Sequence, residues 1–268
     1  IAATETSTKE EITVEEKITL GEEIRSLSNT AAFEKSMVEE VRVNEKPKLL
    51  SLSQDQKAVL SYFMPVKGME MQLCRALSGV VARMKEKFGI GTDNDETIIT
   101  TGGQQGIELA CKALCNEGDA VICENPSFIG ALNAFRSNGA ITKGIPLRDD
   151  GIDTDILEAT LAADRAGENK IKMLYLIPTF HNPAGITTSL EVRKKIYEIA
   201  VKYSLVILED NPYGELRFAG EEIPTIKSFD TEGLVIYCSS FSKILSAGMR
   251  IGYVCGPKAL VQKMVVAK

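Results

Sequence analysis

From residue 57 onward the apolar positions follow two rhythms. The stretch "GMEMQLCRALSGVVARMKEKFG" repeats them every three to four residues, the spacing of a helix with one buried face. After it come seven short runs rich in branched side chains: 97–100 "TIIT", 120–124 "AVICE", 141–147 "ITKGIPL", 172–178 "KMLYLIP", 205–208 "LVIL", 234–239 "LVIYCS" and 251–255 "IGYVC". Helix-like segments separate them. Most of the runs are continuously apolar, as expected of strands covered on both faces by helices. The pattern predicts an α/β fold, a three-layer αβα sandwich around a mainly parallel seven-stranded sheet. The beginning of the chain differs: Glu, Lys, Thr and Ser mix there with weak periodicity. Residues 1–56 are therefore expected to form an arm or short helices, and residues 57–268 one large domain.

Composition narrows the partners. A chain of 268 residues, 44% apolar and 25% charged, can bury a sizeable core. No apolar run approaches the roughly 18 to 20 residues of a membrane helix. The opening "IAATETSTKEEITVEEK" is acidic and unlike a secretion signal, so a cytoplasmic protein without a membrane partner is expected. The formal charge of −6 argues against nucleic acid, while leaving room for a local basic pocket that holds one phosphate. Cysteines at 74, 111, 115, 123, 238 and 255 form no C-x-x-C pair and read as buried thiols. Only Cys111 and Cys115 share a helix face, and the lone His181 lies far along the chain, so no metal site is expected.

The candidate chemistry lies where strands end. Five runs lead into polar clusters: "TGGQQG", "NPSF", "TFHNPAG", "EDNPYGE" and "SFSK". In a parallel sheet these carboxyl ends share one edge, where open α/β folds bind ligands. Gly103 and Gln104 open a helix whose free N–H groups favour a phosphate, although Gly-Gly before a helix is also an ordinary turn. Phe128 can stack on a flat ring or belong to the core. Asn182 can donate to a phenolate oxygen, yet "NPAG" is equally a turn. Asp210, at the end of a buried strand, either caps a turn or faces a cation, and Tyr213 follows it. Ser240, Ser242 and Arg250 can grip a phosphate dianion, leaving Lys243 to form an imine with an aldehyde. On its own stretch Lys243 could also be a solvated turn residue. A phosphate, an aldehyde and a protonated ring nitrogen together describe pyridoxal 5'-phosphate.

From about Lys57 to Lys268, with these clusters in order, the chain resembles the large domain of fold-type-I pyridoxal-phosphate enzymes of aminotransferase class I/II. The stretch "YLIPTFHNPAGITTSLEVRKKIYEIA…VILEDNPYGELRF" resembles most the 2-aminoadipate and kynurenine (aromatic) aminotransferase branch. The resemblance implies that Lys243 is the Schiff-base lysine and that Asp210 pairs with the ring nitrogen. It implies that Asn182 and Tyr213 bind the ring's 3-hydroxyl oxygen, and that Phe128 occupies the stacking position. Gly103, Gln104, Ser240, Ser242 and Arg250 match the phosphate-binding positions. Lys243, Asp210 and Tyr213 are thereby the expected catalytic residues.

The implied activity is ping-pong transfer of an amino group from an amino acid to a 2-oxo acid, in a homodimer. Two features depart from the family pattern. Tyr62, in "SYFMPVKG", matches a phosphate-reaching tyrosine of the partner subunit with altered spacing. The small C-terminal domain, which in the family carries the arginine for the substrate carboxylate, is not expected within residues 1–268. A β-lyase or decarboxylase on the same scaffold, or a cofactor-binding effector domain of a transcription regulator, are the alternatives. The regulator would need a basic winged helix, whereas residues 1–48 are acidic.

Overall fold

The computed structural model describes residues 69–268, and side chains from residue 78 onward. Tyr62 and the boundary expected near residue 56 lie outside the described residues. The strands, in chain order, are β1 (Asp95–Thr100), β2 (Ala120–Asn125), β3 (Ile141–Arg148), β4 (Gly151–Ile152), β5 (Ile171–Leu176), β6 (Val206–Asp210), β7 (Val235–Ser240) and β8 (Gly252–Pro257). The helices are α1 (Met69–Phe88), α2 (Gly102–Leu114), α3 (Ile129–Ser137), α4 (Thr154–Ala166), α5 (Leu190–Tyr203) and α6 (Lys258–Ala267).

All seven expected strands form, in one sheet of order β1-β8-β7-β6-β5-β2-β3-β4. The count of seven is corrected to eight by β4, a two-residue strand antiparallel to the end of β3. It is too short to leave an apolar run in the sequence. A second difference carries more weight for function. The central strands β7, β6, β5, β2 and β3 run parallel, but β8 lies antiparallel between β1 and β7. Its amino end, next to Arg250, therefore sits at the same edge as the carboxyl ends of the others.

Pleating sorts each strand between two layers. Val121 and Cys123 of β2, Tyr175 of β5 and Cys238 of β7 join one core with Ile107 and Ala110 of α2, Phe135 of α3 and Met264 of α6. Ile122, Leu174 and Ile207 face the other side and pack with Leu157 and Leu161 of α4 and Ile196 and Ile199 of α5. Both cores reject water, which explains why the strand sequences show no polar alternation. The expected three-layer sandwich is observed.

Connections from β1 to β2 and from β2 to β3 step one way along the sheet. Those from β5 to β6 and β7 step the other way. The reversal falls between the neighbours β2 and β5, and a crevice opens at such a point at the carboxyl edge.

A buried cation locks the opposite edge. Lys227 Nζ, almost wholly shielded, donates to Asp95 Oδ1 at 2.7 Å and to Asp230 Oδ2 at 2.9 Å, joining the starts of β1 and β7. Lys227→Met is expected to leave two buried carboxylates without a counter-charge and to cost about 3–5 kcal/mol. Denaturant unfolding checks this, and a loss below about 1 kcal/mol would show that the network is incidental.

Candidate functional site

At one corner of the edge, helix α2 starts directly after β1. Gly102 has φ +73°, a conformation that side chains disfavour, and Gly103 and Gln104 follow in the first turn. Their N–H groups belong to the turn that lacks intrahelical acceptors. Gly252 at the start of β8 makes the corner possible. A Cβ there would stand 2.5 Å from Gly102 C and 2.8 Å from Gly103 N, so only glycine allows the two backbones to meet.

Arg250, at φ 50°, lies over this corner; a Cβ on Gly102 would come within 2.9 Å of its Nη2. Gly103 faces Ser240, whose Oγ donates to Ser242 Oγ at 2.9 Å and accepts from Ser242 N at 3.1 Å. The Gln104 side chain is turned away, donating to Gly130 O at 2.9 Å, so what it leaves at the corner is its backbone N–H. Phe128 precedes α3, half-buried against the core, with its ring over Gly130, where a Cβ would fall 2.5 Å from Phe128 Cζ.

The second corner is built on β5, β6 and β7. Asp210 ends β6, buried, and accepts from Tyr175 Oη at 2.8 Å. Burial pushes its carboxyl up to about 7; the Tyr175 hydrogen bond opposes the rise and the charge of Glu124 adds to it. Three residues on, Tyr213 Oη stands 3.5 Å from Asn182 Nδ2, so a phenol and an amide donor lie side by side. Lys243 Nζ is 6.0 Å from the Tyr213 ring centroid. Both Lys243 and Arg250 are exposed, and neither makes an ion pair with a carboxylate among the described residues. The edge thus carries two unneutralised cations and, between the strands that lead to them, a buried carboxylate that resists ionisation.

Asn182 depends on a tightly held loop. Arg193 of α5, fully buried, donates to Pro178 O, Thr179 Oγ1, Thr188 O and Pro224 O at 2.7–3.1 Å. Four acceptors substitute for water around the guanidinium. They also tie together the two ends of the loop that carries Asn182.

The structure brings Gly103, Gln104, Ser240, Ser242 and Arg250 to one corner, and Asn182, Asp210, Tyr213 and Lys243 to the other. Sequence reasoning missed Tyr175, Gly252 and Arg193. The strand period could have found Tyr175, because Tyr175 pairs with Leu208, and Asp210 lies two residues further on the same face. Gly252 and Arg193 left no such signal. His181, set aside in the sequence as a metal ligand because it lies far from the cysteines, is buried against Glu124 directly beside Asn182. Among the described residues no cluster of His, Cys, Asp or Glu could hold a metal, and no helix is long and apolar enough to cross a membrane.

The open α/β sheet, with its glycine-built corner and a lysine beside a tyrosine–asparagine pair, has the fold of solved aminotransferases. Residues 73–268 match the family described as aminotransferase class I and II, and the chain belongs to that family. It is 40% identical over 185 residues to aromatic-amino-acid aminotransferase 1 of Thermococcus litoralis, covering 69% of this chain and 44% of that protein. Over 182 residues it is 38% identical to the 2-aminoadipate transaminase of Thermus thermophilus, covering 67% of this chain and 45% of the relative. The solved kynurenine aminotransferase of Pyrococcus horikoshii, a complex with PMP, superposes with a TM-score of 0.68 at 39% identity, covering 70% of this chain and 46% of that one. The chain spans less than half the length of these relatives.

Proposed function

We propose that this chain holds pyridoxal 5'-phosphate and forms the cofactor-binding part of an aminotransferase acting on amino acids and 2-oxo acids. One observation carries the reading. Lys243 follows β7 and Arg250 precedes β8, neither ion-paired to a carboxylate among the described residues, at the sheet edge where the adjacent β6 ends in the buried Asp210. The residues fit the cofactor in charge and in shape. The corner at Gly102 offers N–H groups and Arg250 to an anion, a side chain at Gly102 would press on Arg250, and one at Gly252 would push the two backbones apart.

In this reading Arg250, Ser240, Ser242 and the N–H groups of Gly103 and Gln104 hold the phosphate. Phe128 covers one face of the ring, and Asn182 and Tyr213 orient its 3-oxygen. The cofactor, when bound, supplies an aldehyde that links to amines and a ring that draws electrons from a linked amino acid. Asp210 holds a proton at the ring nitrogen, because a cation at that point offsets the cost of its buried charge. Lys243 would be the amine that tethers the cofactor, and its Nζ would be the base that moves the substrate's α-proton. Amino-group transfer is favoured over lyase or decarboxylase chemistry by the activities for which the relatives are named. Pairing of two copies is part of the same reading, and so is a cytoplasmic setting.

The test is direct. The protein is loaded with cofactor, reduced with borohydride and mapped by peptide mass. A separate, unreduced portion of the loaded protein is mixed with 2-aminoadipate, kynurenine, tyrosine or leucine, and pyridoxamine phosphate is measured. Modification at Lys243 with amino-group transfer from at least one donor is expected. Modification at another lysine, or carbon dioxide or ammonia release in place of transfer, would overturn the reading.

A further inference from the structure

We propose that the buried Glu124–His181 pair is a positioning unit that fixes Asn182 against the cofactor ring, an inference that rests on the proposed function above. Glu124 is the penultimate residue of β2 and His181 precedes Asn182, and both side chains are almost wholly shielded from solvent. Glu124 Oε2 accepts from Ile177 N at 2.8 Å and stands 3.1 Å from His181 Nε2. That second contact is an electrostatic one, bent away from hydrogen-bond alignment. The other ring nitrogen, His181 Nδ1, accepts from Ala184 N at 3.2 Å. An accepting Nδ1 places the proton of the neutral ring on Nε2, facing the carboxylate. One carboxylate and one imidazole therefore tie the loop on both sides of Asn182, at Ile177 before it and at Ala184 after it.

The backbone shows that the loop needs such a tie. His181 N donates to Ile186 O, and Gly185 N to His181 O, closing a tight turn around Asn182. Phe180, immediately before, is held at φ 51°, a left-handed conformation that is unfavourable for a bulky residue and persists only where surroundings enforce it. The Arg217 guanidinium stacks 4.8 Å from the Phe180 ring centroid, and Phe180 N donates to Thr187 Oγ1 at 3.2 Å. These contacts hold Phe180, whereas the carboxylate–imidazole pair holds the residues next to Asn182. Solvation alone does not account for the pair. A buried carboxylate and a buried imidazole are costly, and here Glu124 Oε2 and His181 Nδ1 are both spent on the loop backbone.

The experiment compares His181→Leu, His181→Gln, Glu124→Gln, Asn182→Ala and the double variant His181→Leu/Asn182→Ala with the unaltered protein. Without cofactor, hydrogen exchange of the peptide spanning 177–186 is followed. With cofactor, the pH midpoint of its absorbance change is followed. His181→Leu is expected to speed exchange in 177–186 about tenfold with the β5 and β6 peptides unchanged. It is also expected to move the midpoint in the same direction as Asn182→Ala, by about half a pH unit. The double variant should move no further than Asn182→Ala alone. Gln at 181 keeps one acceptor and one donor and should restore most of both signals.

Additive shifts in the double variant, an unmoved midpoint despite faster exchange, or unchanged exchange would each overturn the proposal. If His181→Leu does not fold, Glu124→Gln, which keeps an acceptor for Ile177 N, decides by the same two signals. Failure of the unaltered protein to carry cofactor on Lys243 would instead overturn the proposed function, and the exchange of 177–186 would then still decide whether the pair holds the loop.

Discussion

Lys243→Ala is expected to lose covalent retention of the cofactor and at least about 10⁴-fold in amino-group transfer, because one amine serves both as tether and as general base. The structure explains why no neighbour can replace it. Lys243 lies beside the Tyr213 ring, and Tyr213 in turn contacts Asn182, so the amine is set against the groups that would orient the ring. Arg250 is the other cation of this edge without an ion pair among the described residues, and a guanidinium is no substitute for an amine as tether. Phosphate-end binding should survive the change, since Gly103, Gln104, Ser240, Ser242 and Arg250 are untouched. Dialysis should then remove the cofactor from the variant and not from the parent. Single-turnover conversion with the best donor from the panel checks the rate. A loss below about tenfold would remove Lys243 from the chemistry.

The second large effect is expected of Asp210→Asn, and it should divide stability from function. Without a cation against it, Asp210 has a carboxyl pushed from 3.8 up to about 7, chiefly by burial. The folded protein then holds that proton more tightly than the unfolded chain does. The stabilising contribution is fully present below pH 4 and is lost as pH rises through about 7, with a total change of about 4 kcal/mol. Asparagine removes the charge and keeps an acceptor for Tyr175 Oη. The cofactor-free variant should therefore be more stable than the parent at pH 8, by up to a few kcal/mol, and about equal to it at pH 4. Loaded with cofactor, the same variant should transfer amino groups about 10²–10³-fold more slowly, because a neutral amide cannot keep the ring nitrogen protonated. Thermal unfolding at the two pH values and single-turnover rates test both halves. A variant that is no more stable at pH 8, or whose rate stays within a few-fold of the parent, would show that Asp210 carries neither cost nor role.

Much of this architecture is legible in one dimension because burial has a period. Runs such as "LVIL" and "LVIYC" had to be strands covered on both faces, since they show no polar alternation and each strand sends alternate side chains to opposite layers. Five polar clusters directly after such runs placed the candidate residues at one edge of a parallel sheet, and their order along the chain carried the family resemblance. Side-chain chemistry and strand ends are local properties, and local properties survive in sequence.

What the chain alone could not decide is the set of contacts made between distant segments. The antiparallel insertion of β8 between β1 and β7 is a pairing choice with no signature in "IGYVC", yet it brings Arg250 to the edge beside Gly102. Gly252 reads as an unremarked strand residue until the backbone of Gly102 is found where its Cβ would be. Tyr175, Glu124 and His181 each look like core or turn residues in their own segments. Their meaning comes from adjacency across β2, β5 and β6, where burial without water makes a phenol, a carboxylate and an imidazole act on Asp210 and on the loop of Asn182. The sequence by itself determined which elements form and which chemistry they carry to the edge. Only the tertiary structure decided how deeply each charge is buried and what faces it, because desolvation and pairing depend on neighbours that the chain reaches only by folding.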